Sequence, residues 1–290
     1  MIRLATPYDI TQLKELWDAS FHDPMNYIDF VFDKITGTDD VLVTELDGRV
    51  VAMLIMIPVK FVYKDEAVNT LYIFGAATDK KYQNRGIMSK LIEDAENRAM
   101  RLDARLSVLV PGNPYLFDFY RNRGYSTDFS LRCVNIKPGM LDNAVDLGDE
   151  MKIDEIKTED LHRIRGAALM NIPHISWSLR QLSFVMEDSR MYDDHIASYQ
   201  GELGNAYAFY GIRNKKLYVK EILGSTNEAQ MAVLKTLIEK FSPKYAYVNL
   251  PELSKLFYGE GEIRPYGMCR SLTVKNSIRD LDAYMNLMLD

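Results

Sequence analysis

The hydrophobic pattern of the first half alternates between helix and strand periods. Apolar residues recur every three or four positions over Ile10–Trp17, which predicts an amphipathic helix capped by Thr6 or Asp9. Asp47-Gly48 separates two β-rich runs and predicts a hairpin turn. The strands predicted here are Ile2–Ala5, Val41–Leu46, Val50–Val62, Thr70–Thr78, Leu106–Val110 and Phe129–Ile136, and the further helices are Tyr27–Ile35, Gly86–Arg101 and Pro114–Arg123.

The second half repeats this order weakly, which favours duplication over chance. Lys137–Glu150 carries proline, glycines and several acids, and we interpret it as a linker. The expected α/β chain therefore has one domain at 1–136, a linker at 137–149 and a second domain at 150–290. The helices predicted in the second half are Thr158–Leu169, Trp177–Glu187, Glu228–Phe241 and Ile278–Leu289, and the strands are Ala206–Ile212, Leu217–Leu223, Tyr245–Leu250 and the segment around Cys269–Leu272.

Composition narrows the function classes. The 290 residues are 47% hydrophobic and carry a net charge of −6, which argues against a nucleic-acid partner. The two cysteines, Cys133 and Cys269, have no paired spacing, so neither a disulfide framework nor a zinc signature is expected. No apolar run approaches the roughly 20 residues of a membrane span, and the N-terminus has no signal-peptide pattern. A cytoplasmic protein without a membrane partner is the expectation.

The segment Leu71–Leu91 joins an apolar run, a polar turn and an amphipathic helix. Its turn reads Gln83-Asn84-Arg85-Gly86. A helix N-terminus presents unpaired N–H groups and partial positive charge, and glycine lets the backbone approach a phosphate closely. The turn therefore suits a pyrophosphate, although a helix that simply starts after glycine fits equally well. The spacing matches neither a P-loop nor a dinucleotide-binding fingerprint.

A second signal follows one strand later. Asn113 opens a predicted helix, and Tyr120 lies two helical turns on, on the same face. Each residue has an ordinary role, since Asn before Pro114 is a common helix cap and a tyrosine between helix and sheet is commonly half-buried. Their combination with the upstream turn favours a shared site.

Together the two signals resemble the GCN5-related N-acetyltransferase (GNAT) superfamily. Gln83–Met88 is similar to the family signature Gln/Arg-x-x-Gly-x-Gly/Ala, and Asn113, Tyr120 and Gly124-Tyr125 are similar to its later motif. The resemblance covers nearly all of the first half, with a looser likeness to Eis-like acetyltransferases, which carry extra C-terminal domains. One departure is Met88, where glycine or alanine is usual, but its backbone N–H survives the change. The resemblance implies a mixed central sheet flanked by helices, followed by a second, degenerate GNAT-like domain.

The resemblance also implies roles for individual residues. Acetyl-CoA would be the acyl donor, and no metal is expected. Its pantetheine arm would pair with the backbone of Ala76, Ala77 and Thr78 and bond to Asn113. Tyr120, since tyrosine has an ordinary pKa of about 10, would keep a proton to give to the departing CoA thiolate. The residues that would hold the pyrophosphate are Gln83, Asn84, Arg85, Gly86, Ile87, Met88 and Ser89.

The acceptor side is less determined. A primary amine of a small molecule is the expected acceptor, and the acidic chain suits a cationic one such as an aminoglycoside or a polyamine. The attacking amine must lose a proton, so a base or a water chain is expected. His22 is one candidate, although an ordinary surface histidine is the alternative reading. Asp79 and Glu45 could act through water, and Asp290 is a further candidate.

The second half lacks the phosphate signature. Its corresponding stretch is Gly224–Ala229, where Glu228 would repel a phosphate, so we expect no CoA there, although this half could shape the acceptor cleft. Other functions stay open. One is a CoA-binding regulatory module without turnover, and another is a structural pair of domains without a ligand. A longer acyl-CoA donor or a protein N-terminal amine would also fit, and the oligomeric state is left open.

Overall fold

The computed structural model describes residues 1–64, 66–273, 278 and 281–289. Within them, thirteen strands form one mixed sheet with helices on both faces. The strands are β1 Ile2–Leu4, β2 Val41–Leu46, β3 Arg49–Tyr63, β4 Glu66–Thr78, β5 Leu106–Leu109, β6 Ser126–Asn135, β7 Lys152–Ile153, β8 His174–Ser176, β9 Asp194–Gly201, β10 Gly204–Arg213, β11 Lys216–Gly224, β12 Tyr245–Pro251 and β13 Glu262–Ser271. The helices are α1 Ile10–Phe21, α2 Met25–Phe30, α3 Ile87–Arg101, α4 Leu116–Arg121, α5 Thr158–Leu169, α6 Leu179–Met191 and α7 Asn227–Phe241.

The two halves exchange their closing strands. Across the sheet the order is β1-β2-β3-β4-β5-β13-β6-β12-β11-β10-β9-β7, and β8 pairs with β3 outside this path. The last strand, β13, therefore fills the place beside β5, whereas β6 pairs with β12 and β13. The expectation that Phe129–Ile136 closes the first half is corrected in this respect: the strand is present, but it lies next to the second half. Side-chain periodicity determines which face a residue occupies and carries no information on which distant strand lies alongside.

Alternating residues of the sheet build separate cores on its two faces. On β3, Met53 packs in the same apolar cluster as Trp17 of α1, and its neighbour Leu54 packs with Leu91 of α3. The cluster around Met53 also contains residues of α5, α6 and the C-terminal segment, so this face joins the two halves. The opposite face of the second half is covered by α7, which includes the buried Val233.

The C-terminal segment, defined here as residues 281–289, does not form the helix predicted over Ile278–Leu289. It runs irregularly through the interior, with isolated bridges from Ala283 to Phe129 and from Tyr284 to His174. Asp282 and Leu287 have positive φ angles of 46° and 54°, which an α-helix does not accommodate. A run of apolar residues that is buried on all sides carries no helical stripe, so its periodicity was uninformative.

Three smaller differences concern the second half. Strands β7, β8 and β9 were not predicted, and the helix expected at Trp177–Glu187 is observed at Leu179–Met191. The segment interpreted as a linker packs against the second core, because Leu141 and Leu147 are buried. The backbone N–H of Leu147 also donates to Thr236 Oγ1 of α7 at 2.8 Å. In the described part of the chain, no helix has the length and apolar character needed to span a membrane.

Candidate functional site

Strands β4 and β5 diverge and leave a gap in the sheet. They pair in parallel only over Thr70–Tyr72 and Leu106–Val108, after which β4 runs on to Thr78 and β5 ends at Leu109. In the described residues, no strand pairs with this side of β4 beyond Tyr72. Its backbone donors and acceptors are therefore available to an extended ligand, as the expected pantetheine contact requires.

A bulge in β4 lies at the gap. Opposite β3 the register passes from Met53–Ala77 to Ile55–Phe74, so Gly75 and Ala76 face a single β3 residue. Gly75 has φ +58°, and a Cβ there would lie 2.5 Å from Trp17 Cζ3. The indole of α1 therefore rests directly on the bulged backbone, and only glycine leaves room for it.

The start of α3 is open. Gly86 occupies the cap position with φ +72°, and no side chain caps this end. Among the described residues, no group accepts a hydrogen bond from the backbone N–H of Ile87, Met88 or Ser89. A Cβ at Gly86 would meet no atom within 4 Å, so the space beside the Gly86 backbone is open. Three unpaired donors at the positive end of a 15-residue helix form the kind of site that binds a phosphate.

The preceding turn is held by two local contacts. Gln83 Nε2 donates to the Thr78 carbonyl at 3.0 Å, and the Arg85 guanidinium lies 5.3 Å from the Tyr82 ring centre. Asn84 also has a positive φ of 60°. The turn is thus fixed by its own side chains, and its residues from Gln83 to Gly86 are exposed.

Arg123 is a cation beside this helix start that the sequence did not reveal. Its Nε donates to Ser89 Oγ at 2.9 Å, and its guanidinium lies 3.3 Å from the Phe119 ring centre. The two residues are 34 positions apart, so only the fold brings them together. A guanidinium here adds positive charge next to the free N–H groups.

Asn113 and Tyr120 take up different environments. Asn113 Oδ1 accepts from the backbone N–H of Tyr115 at 3.0 Å and of Leu116 at 3.2 Å, which is the ordinary capping contact. Tyr120 is 7% exposed and packs with Tyr125 in the apolar cluster beneath α3. Burial raises the pKa of Tyr120 to about 12, partly offset by Arg123. The phenol therefore keeps its proton at neutral pH.

The gap opens into a cleft of about 790 Å³ between α1, the end of β4 and the start of α4. Of the residues expected to bind the cofactor, the cleft is lined by Ala76, Ala77, Thr78, Gln83 and Asn113. Tyr120 and the run Asn84–Ser89 are not part of this lining. The opposite wall comes from α1, the residue that follows it and the start of β3, and its members are Gln12, Glu15, Leu16, Ala19, Ser20, Phe21, His22, Arg49 and Val50.

The candidate bases lie in different parts of the structure. His22 and Asp79 line the cleft, and Asp79 lies 3.4 Å from Arg49 and accepts the Lys81 N–H at 2.9 Å. Glu45 is outside the cleft lining and pairs with Arg3 at 2.7 Å. Asp290 lies outside the described residues. The imidazole of His22 has no hydrogen-bond partner within the described ranges, so it is free to meet an acceptor.

The second half has the same strand divergence but a closed site. β11 and β12 pair in parallel only up to Val219 and Val248, and β11 carries its own bulge at Lys220. Asn286 of the C-terminal segment fills this place, with Nδ2 donating to the Lys220 carbonyl at 2.6 Å. The start of α7 is capped by Thr226, whose Oγ1 accepts the Ala229 N–H at 3.1 Å. In the second half the strand gap is therefore filled, and the Ala229 donor at the helix start is satisfied within the chain.

Comparison with known proteins gives a family match in the first half. Residues 1–127 match a family described as an acetyltransferase (GNAT) domain. An S-alkylcysteine N-acetyltransferase of Bacillus subtilis (strain 168) is 27% identical over 147 residues, 44% of this chain and 80% of that protein.

Solved structures extend the likeness to the second half. A GCN5-related N-acetyltransferase from Kribbella flavida has a TM-score of 0.72 at 16% identity and covers 94% of this chain and 72% of its own. Eis1 from Mycobacterium abscessus has a TM-score of 0.71 at 13% identity and covers 96% of this chain and 76% of its own. At these identities the likeness establishes the fold, and it confirms the expected GNAT-like α/β architecture.

Proposed function

We propose that the protein transfers an acetyl group from acetyl-CoA to the primary amine of a small acceptor, because residues 1–127 match the acetyltransferase (GNAT) domain family and an N-acetyltransferase is 27% identical over 147 residues. The observation that carries the proposal is the difference between the two helix starts. The start of α3 keeps three backbone donors free beside the strand gap, and the start of α7 is capped by Thr226. In the part of the chain that the structure describes, the first half thus places free helix-start donors next to an unfilled strand gap, whereas Asn286 fills the gap of the second half.

Different residues bind the pyrophosphate and the pantetheine arm of acetyl-CoA. The free N–H groups of Ile87, Met88 and Ser89, with Arg123 behind them, hold the pyrophosphate. The unpaired edge of β4 at Ala76 and Ala77 aligns the pantetheine arm with the bulge. Fixing a thioester against a positioned amine converts the reaction into an effectively unimolecular step.

Transfer requires one bond to form and one to break. The amine nitrogen bonds to the thioester carbonyl carbon, and the carbon–sulfur bond breaks with its electron pair on sulfur. Tyr120, protonated at neutral pH because burial raises its pKa to about 12, gives a proton to that sulfur. His22 takes the proton from the amine, since its imidazole lines the cleft without a partner in the described residues, and Asp79 is already engaged by Arg49.

The charged residues that line the cleft favour a small acceptor that carries either a positive charge or charges of both signs. Glu15 and Asp79 contribute carboxylates to the lining, and Arg49 and Lys80 contribute cations. An amino acid has an amine and a carboxylate to match both signs, and the Bacillus subtilis relative is described as acting on S-alkylcysteine. We therefore rank S-methyl-L-cysteine first in an acceptor panel, with kanamycin and spermidine as cationic alternatives.

The cofactor site is tested with two substitutions of the same size. Gly86→Asn and Gly86→Asp both tolerate a positive φ, and they differ only in a negative charge at the helix start. Acetyl-CoA at 100 times its Kd should stabilise the wild-type protein by about 2.7 kcal/mol in thermal unfolding. We expect Gly86→Asn to retain most of this stabilisation and Gly86→Asp to lose it. Equal stabilisation of both variants would contradict a phosphate site at this helix start.

Turnover is tested separately by the release of free CoA thiol with each amine of the panel. Tyr120→Phe should lower kcat by about 100-fold and leave the acetyl-CoA Kd unchanged, because the hydroxyl acts only on the departing sulfur. An unchanged kcat would remove Tyr120 from the reaction. Binding of acetyl-CoA without thiol release from any amine would instead support a CoA-binding regulatory module.

A further inference from the structure

The corner between α1 and α2, defined here as Phe21–Pro24, forms part of the cleft wall. Phe21 and His22 line the cleft, and His22 has a positive φ of 59° that turns the chain sharply after α1. An acceptor that enters the cleft meets this corner on the side opposite β4. Its placement therefore affects how an acceptor sits relative to the bulge.

Trp17 links the corner to the bulge. Its indole rests on Gly75, and its Nε1 donates to Asp23 Oδ2 at 2.9 Å. The ring also packs against Phe21 at 4.7 Å between ring centres. A movement of Asp23 would thus be transmitted through a buried ring to the backbone next to Ala76.

Residues of the second half also contact this corner. The hydroxyl of Tyr192, which follows α6, donates to Asp23 Oδ1 at 3.2 Å. Tyr27 of α2 donates to Asp188 of α6 at 2.9 Å, and the rings of Tyr27 and Tyr192 lie 5.0 Å apart. Asp23 therefore accepts one hydrogen bond from each half of the molecule, from Trp17 on one oxygen and from Tyr192 on the other.

We propose that Tyr192 is a positioning residue for the acceptor, acting through Asp23 and Trp17 on the cleft of the other half. The inference rests on the proposed function, because it concerns the acceptor side of the same cleft. It gives the second half, whose own helix start and strand gap are closed, a task in the reaction. Charge-assisted hydrogen bonds restrain the orientation of a carboxylate, and a corner restrained from both sides offers an acceptor one geometry.

The test replaces Tyr192 by phenylalanine. Tyr218→Phe is the matched control, because Tyr192 and Tyr218 are both 37% exposed and Tyr218 stacks on Tyr247 of the sheet, outside the cleft lining. We expect Tyr192→Phe to raise the KM for the best amine of the panel about tenfold, with the acetyl-CoA Kd unchanged. Tyr218→Phe should change neither quantity.

A second variant guards against a general loss of folding. Asp23→Ala removes both acceptor oxygens, so it breaks the contact with Trp17 and the contact with Tyr192 at once. It should raise the same KM at least as much as Tyr192→Phe, again without weakening acetyl-CoA binding. A merely structural role would lower kcat and cofactor affinity together, and that pattern would overturn the proposal.

The outcomes separate the two levels of inference. If the wild-type protein binds acetyl-CoA and releases CoA, but Tyr192→Phe behaves as Tyr218→Phe does, the positioning role is wrong and the proposed function stands. If the wild-type protein neither binds acetyl-CoA nor acetylates any amine of the panel, the proposed function fails and the positioning role falls with it.

Discussion

Two glycines near the candidate site have the same backbone conformation for different reasons. Gly75 and Gly86 have φ angles of +58° and +72°, which favour glycine at both positions. At Gly86 a Cβ would meet nothing within 4 Å, whereas at Gly75 it would lie 2.5 Å from the Trp17 ring. At Gly86, glycine is therefore favoured by the turn conformation alone. At Gly75 it is favoured both by the conformation of the bulge and by the close approach of α1.

This difference predicts unequal costs of alanine. Gly48, with φ +76° and open space, is the control, and Gly48→Ala should lower the free energy of unfolding by about 1–2 kcal/mol. Gly75→Ala carries the same backbone cost and must also displace the indole, which adds about 1–3 kcal/mol. Urea unfolding of both variants measures the difference. Equal losses would mean that the Trp17 ring moves aside freely.

At the scale of elements, the sequence predicted the parts whose signals are local. The α3 start and the β2–β3 hairpin are encoded by adjacent residues, and both are observed where expected. The contact of Arg123 with Ser89 spans 34 positions, and no periodicity signals it. The role of Asn113 was ambiguous because a cap and a ligand contact use the same residue type. Its oxygen forms the cap, and the expected contact with pantetheine stays a prediction.

The C-terminal segment is the element that the sequence described least well. Its residues from Ala283 to Leu289 are all buried, so no polar face marks a helix or a strand. It is held by polar contacts instead. Tyr284 OH donates to Glu221 Oε2 at 2.8 Å, and Glu221 also pairs with Arg165 at 3.1 Å. The burial of such a carboxylate is tolerated only because several donors surround it.

Loss of one of these donors should destabilise the fold. Tyr284→Phe keeps the ring and leaves Glu221 Oε2 without its shortest hydrogen bond, at a cost of about 1–3 kcal/mol in the free energy of unfolding. Tyr8→Phe is the control, since Tyr8 is 93% exposed. Chemical denaturation measures both variants. A Tyr284→Phe protein as stable as the control would show that the segment is held by apolar packing alone.

At the scale of the molecule, the halves are joined too extensively to behave as separate units. The exchanged strands β6 and β13 each pair with the other half, and β8 of the second half pairs with β3 of the first. The Met53 cluster draws side chains from both halves into one core. Independent unfolding of one half would expose the sheet edges and apolar surface of the other, so we expect the two halves to unfold together.

The titration of His174 offers a measurement of this junction between the halves. It lies at the contact of β8 with β3 and the C-terminal segment, and its Nδ1–H donates to the Ile172 carbonyl at 2.8 Å. Burial, with the nearby Arg165 charge, lowers the pKa of His174 to about 4. The unfolded chain therefore binds a proton as pH falls through 6.5, and the folded protein does not until about 4.

Acidification from pH 7 to 4 should accordingly lower the free energy of unfolding by about 3 kcal/mol through His174, because the unfolded chain takes up this proton at a higher pH than the folded protein does. Other groups titrate in the same window, and Asp188, whose pKa burial raises to about 6, acts with the opposite sign. The quantity to measure is therefore the difference in unfolding free energy between the wild-type protein and His174→Gln at each pH. That difference should shift against the wild-type protein by about 3 kcal/mol across the window, because glutamine does not titrate and the contribution of Asp188 cancels. A difference that stays constant with pH would mean that His174 takes up its proton at the same pH in the folded and the unfolded protein, and that the junction between the halves admits a charge.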